Sequence, residues 1–68
     1  MNEVNWAEKP VLQLTGIDGN AFVILGRAGR AARDAKWPRE RIDAVMEEAT
    51  AGDYEHLLQT MMKYFDVM

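Results

Sequence analysis

The sequence predicts an all-α fold: a compact three-helix domain with an extended N-terminal arm packed on helix 1. Three observations carry that expectation. Apolar residues recur at i, i+3, i+4 and i+7 in three separate stretches, the spacing of a buried helix face. Trp37-Pro38 and Gly52-Asp53 divide those stretches with turn chemistry. The connections between them are short, and short connections make neighbouring helices antiparallel. With 68 residues there is room for one domain, residues 1–68, and one small core.

The arm spans residues 1–17. Pro10 sets an extended entry, and Val11-Leu12-Gln13-Leu14 reads as a short extended segment with Leu12 and Leu14 on one face. A lone strand leaves its backbone unsatisfied and needs a partner. Trp6 is a large apolar group that calls for a covered site. Helix 1, residues 18–36, starts at Asp18 as N-cap, with Asn20 as the alternative. Its core stripe holds Ala21, Ile24, Leu25, Ala28, Ala31, Ala32 and Ala35. The other side carries Phe22, Val23, Gly26, Gly29, Arg30 and Arg33. Each helix-interior glycine costs about 1 kcal/mol relative to alanine. A close approach would explain both, so Trp6, Leu12 and Leu14 are expected over Gly26 and Gly29.

Helix 2, residues 38–51, opens on Pro38 and buries Ile42, Val45, Met46 and Ala49. Gly52 then fits a left-handed C-terminal turn. Helix 3, residues 53–66, is capped by Asp53 and carries Tyr54, Leu57, Leu58, Met61, Met62 and Phe65, with Leu58 and Met61 at the centre. The residues after it are expected to fray or run extended.

Charge is unevenly spread. Net charge is −3, yet residues 27–41 hold Arg27, Arg30, Arg33, Lys36, Arg39 and Arg41 against Asp34 and Glu40, a local +4. The remainder holds Lys9 and Lys63 against nine acids, a local −7. Such asymmetry marks either a recognition surface or internal pairing of basic helix 1 with acidic helix 2.

Chemistry-bearing constellations are sparse. There is no cysteine and one histidine, His56, so no metal site, cofactor or catalytic set is expected. Adjacent Glu47 and Glu48 point about 100° apart on a helix and form no carboxylate pair. Gly16-Ile17-Asp18-Gly19 has a GxxG form, but the carboxylate of Asp18 occupies the place a phosphate needs. A helix-turn-helix would read a groove with Asp53, Tyr54, Glu55 and His56, and two carboxylates there meet a polyanion badly. The methionines fill core, with Met62 or Met68 able to form an apolar patch beside Tyr64 and Phe65. No apolar run reaches membrane length, and the first residues lack the pattern of a secretory signal, so a cytoplasmic setting is expected.

The blocks DGNAFVILGRAGRAA and GDYEHLLQTMMKYFDV resemble a family of small uncharacterised bacteriophage and mobile-element proteins, over roughly residues 12–67. No activity is established for that family. The resemblance implies a setting, a phage or prophage gene expressed in the bacterial cytoplasm, and no chemistry. The expectation is a non-enzymatic binding or accessory protein with a protein partner, host or phage. Its contact residues are Arg27, Arg30, Arg33, Arg39 and Arg41, with Trp37 and Tyr54 as aromatic anchors. The alternative is a nucleic-acid-binding accessory protein using the same arginines. Either would act without a membrane, as a monomer or a weak homodimer.

Overall fold

In the computed structural model, residues 9–16 and 19–68 are described. The elements run β1 (Val11–Leu12), α1 (Ala21–Asp34), α2 (Arg39–Ala49), α3 (Tyr54–Tyr64) and β2 (Asp66–Val67). It is the three-helix domain that the periodicity predicts, with a Cα radius of gyration of 11.5 Å. Trp6 and Asp18 lie outside the described residues. Asn20, the alternative N-cap, accepts a bond from Phe22 N–H at 2.7 Å, so α1 begins later than residue 18.

The core takes one stripe from each helix: Ile24, Ala28 and Ala32 of α1, Val45 and Ala49 of α2, Leu57 and Met61 of α3. Ala35 is exposed: it caps α1, its N–H still bonded to Ala31 C=O at 3.0 Å, and lines the groove beside β1 instead of the core. On α3, Leu57 is 4% exposed while Leu58 is only half-buried, so the face is rotated by about one residue from the expected centre. Met61 is fully buried, and Met62 is exposed.

Helix 1 ends in a Schellman turn. Trp37 N–H bonds Ala32 C=O at 3.1 Å and Lys36 N–H bonds Arg33 C=O at 2.9 Å. This puts Lys36 in the left-handed region at φ 64°. Gly52 has no such φ, contrary to the expectation of a left-handed stop there. Helix 2 instead closes through Thr50, whose hydroxyl donates to Met46 C=O at 2.9 Å. Gly52 is needed for another reason: a Cβ there would lie 2.9 Å from His56 Cβ. Pro38 serves as N-cap of α2 rather than its first helical residue. Asp53 caps α3, accepting from His56 N–H at 2.9 Å.

The arm does not lie over the glycines. Gly26 is exposed and an added Cβ would meet nothing within 4 Å; at Gly29 the nearest atoms would be Arg33 Nη1 and Met46 Cε. Helix 2 therefore makes the approach at Gly29. The arm pairs instead with the end of the chain. β1 and β2 are parallel, with Val11 opposite Asp66 and Leu12 opposite Val67. Leu12 C=O accepts from Met68 N–H at 2.9 Å, and Leu14 N–H donates to Met68 C=O at 2.8 Å. Leu12 is 2% exposed and joins the core. Between β1 and the C-terminal half of α1 runs a groove.

With no close approach at Gly26, Gly26→Ala should stabilise the fold by about 1 kcal/mol through helix propensity and a more restricted unfolded chain. For a domain this small that raises the melting temperature by roughly 4–8 °C. A lowered melting temperature by circular dichroism would mean that the open face of α1 is covered.

Candidate interaction surface

Helix α1 presents one side to the core and keeps the other outside. The outer side is built by residues 22, 23, 26, 27, 30, 33 and 34, all exposed. At its N-terminal end Phe22 is 82% exposed, the least covered large apolar side chain among the described residues. From its middle to its C-terminal end stand Arg27, Arg30 and Arg33. Among the described residues these three form no ion pair. The expected pairing of basic helix 1 with acidic helix 2 is therefore not made there.

The wider cluster of cations is divided by the turn between α1 and α2. Arg27 and Arg30 line the groove under the arm, with Pro10, Gln13 and Asp34. Arg33 and Arg39 line a separate groove with Trp37, Ile42 and Asp43. Arg39 also stands 3.9 Å from Asp43, an exposed i,i+4 pair worth a few tenths of a kcal/mol. Arg41 is half-buried, its guanidinium 4.4 Å from the centroid of the Trp37 ring and 5.5 Å from that of Tyr64. It packs the interface of α2 with α3 rather than extending a surface.

Trp37 is corrected from surface anchor to core. It is 7% exposed and stacks on Phe65, with ring centroids 5.2 Å apart. The Schellman turn swings the residue after α1 back over the helix, which carries the indole inward. Tyr54 remains 46% exposed, and its hydroxyl donates to Gly19 C=O, tying α3 to the entry of α1. Its ring and that of Phe22 line a groove of about 280 Å³ at this end of the bundle, with Leu25 and Leu57.

The first turn of α3 is occupied by internal contacts. Asp53 caps, Tyr54 is tethered, and His56 Nε2 lies 2.7 Å from Glu48 C=O. This leaves Glu55 as the free first-turn side chain facing solvent, which argues further against groove reading by that helix. Glu48 accepts from the Tyr64 hydroxyl at 2.7 Å and from Lys63 Nζ at 3.0 Å. The Tyr64 bond first, then Lys63, holds its carboxyl below the ordinary glutamate range. The same contact with Glu48 raises the Lys63 ammonium. Because the folded chain binds the Glu48 proton less tightly than the unfolded chain, this contribution is present above the ordinary glutamate pKa. It is lost as pH falls through the lowered one. Glu48→Gln should therefore flatten the acid side of the melting-temperature profile between about pH 5 and pH 3. Profiles that run parallel over that range would count against the contact.

Among the described residues no group of three or more histidine, cysteine, aspartate or glutamate side chains is arranged to hold a metal ion. Nor is any described helix long and apolar enough to cross a membrane. Comparison of the chain with family models, curated proteins and solved structures gave no match.

Proposed function

We propose that this chain is a small non-enzymatic binding module that holds a protein partner with an acidic surface on the outer face of α1. The observation that supports this most is the state of Arg27, Arg30 and Arg33: exposed, on one helix face, and unused by ion pairs among the described residues. An arginine fork pairs bidentately with carboxylates, and an exposed Phe22 on the same face supplies an apolar anchor. Tyr54 flanks that anchor, and Arg39 extends the basic surface at the other end. The resemblance of the two sequence blocks supplies the setting, a phage or prophage product in bacterial cytoplasm.

A protein is favoured over a nucleic acid by the distribution of charge. Outside residues 27–41 the described chain carries six acids, Asp43, Glu47, Glu48, Asp53, Glu55 and Asp66, against Lys9 and Lys63, so a −4 balance adjoins the +4 segment. Asp34 lines the groove of Arg27 and Arg30, and Asp43 that of Arg33 and Arg39, so carboxylates meet a polyanion at close quarters, where salt screens them least. A protein contact can be confined to the basic face. One observation favours the rival: an exposed aromatic beside arginines is also what single-stranded nucleic acid stacks on.

The test is the double reversal Arg30→Glu/Arg33→Glu. Neither side chain is in the core, so the melting temperature should change little, within the effect of about 0.5 kcal/mol expected at surface sites. Partner capture from phage-infected cells should be lost. Tight binding of the wild type to single-stranded DNA, weakening steeply with salt, would establish the rival. Retained capture by the double reversal would remove this face from the account.

A further inference from the structure

The geometry points to a strand-addition site: the outer edge of β1 receives an extended acidic peptide, held in the groove between β1 and α1. The inference rests on the reading of Arg27 and Arg30 as contact residues and adds the form of the partner segment.

The argument starts from the backbone. In a parallel ladder a bonding residue turns both its N–H and its C=O toward the neighbouring strand, and the next residue turns both away. Pro10 and Leu12 C=O accept from Asp66 and Met68 N–H, each at 2.9 Å, and Leu14 N–H donates to Met68 C=O. Residues 10, 12 and 14 therefore face β2, and Val11 and Gln13 face away. Among the described residues no hydrogen bond engages the backbone of Val11 or Gln13. Both residues are exposed, Val11 at 55%. An open edge of this kind is a template for another extended segment.

The edge opens onto a groove of about 380 Å³, lined by Val11 and Gln13 on one side and by Arg27, Arg30 and Ala31 on the other. Asp34 also lines it, so the groove carries two cations and one anion. Main-chain bonds to Val11 and Gln13 would supply affinity with little regard to sequence. The two guanidiniums select acidic side chains on the face of the added strand that is turned toward α1, since side chains leave a strand through its faces and backbone groups through its edges. A helix cannot use this site, since its backbone groups are already bonded within the helix.

The probe is a capped octapeptide of alternating valine and glutamate, titrated into the labelled protein and followed by the amide resonances. The Val11 and Gln13 amides should shift and gain exchange protection. Gln13→Pro removes one outward donor, suits an extended backbone, and leaves the bonds of Leu12 and Leu14 intact. It should weaken binding about tenfold, the loss of roughly one good hydrogen bond. Independently of any variant, N-methylation of the alternate peptide amides on one edge should abolish binding, while methylation of the other edge should not. Unmoved Val11 and Gln13 amides, or indifference to methylation of either edge, would overturn the proposal. So would concentration-dependent protection of those amides without peptide, which would make a second copy the occupant. A helical acidic peptide that binds the wild type, fails on Arg30→Glu/Arg33→Glu and ignores Gln13→Pro would overturn strand addition and leave the broader reading standing. If neither peptide binds, strand addition falls, and the pull-down alone decides the broader reading.

Discussion

Phe65→Ala is expected to leave this chain unfolded at room temperature. Phe65 is 1% exposed and is among the largest fully buried side chains of the protein. Its ring stacks on Trp37, so one deletion removes the contact that closes the α1–α2 turn against the end of α3. Phenylalanine-to-alanine changes in cores cost about 3–5 kcal/mol. A domain of this size seldom holds more than about 3–5 kcal/mol in total. Phe65 also sits where the chain turns from helix to strand, with N–H bonded to Met61 C=O at 2.8 Å and φ at −130°. Far-UV circular dichroism and urea titration check the outcome. A cooperative transition with an unchanged midpoint would mean that the aromatic stack does not close the fold.

Leu12→Ala should have the next largest effect, about 2–5 kcal/mol, although it lies in a strand of two residues. Leu12 is 2% exposed and fully enclosed among helix side chains, whereas neighbouring Val11 is 55% exposed. Val11→Ala should therefore cost under about 0.5 kcal/mol, as surface changes do. The pair separates the two roles of the arm: one residue fills core, and the next lies on an open edge. Equal midpoints for the two variants would show that the arm is dispensable for stability.

The helices were legible because each writes its own periodicity in adjacent residues. Ile24, Ala28 and Ala32, or Val45 and Ala49, need only their spacing to be recognised as buried. Asp53 was legible as a cap for the same local reason. The β pairing was not, because Asp66-Val67 carries no strand pattern and its partner lies at the far end of the chain. Without that pairing only the glycines suggest a place for the arm, and helix propensity does not distinguish a covered glycine from an open one. Spacing alone does not place Trp37 in the core, because a residue before proline reads as linker, while its partner Phe65 belongs to another helix's end. Residue type points to Gly52 for the left-handed position, yet the Schellman turn imposes it on Lys36. As to the surface, Arg27, Arg30 and Arg33 on one exposed face follow from their spacing. That Arg41 would turn inward over Trp37 does not, since only the packing of α2 on α3 decides it.

The parallel pairing of β1 with β2 also sets an order in time. Helical contacts join residues close in sequence and form early, whereas Val11 must find Asp66 across nearly the whole chain. Closing so long a loop is entropically expensive, and it becomes worthwhile only once α1 and α3 already hold the strands near each other. The ladder is then absent from the folding transition state. Leu12→Ala should accordingly leave the refolding rate almost unchanged and act by accelerating unfolding, so the last clasp to close is the one that governs how long the folded chain survives.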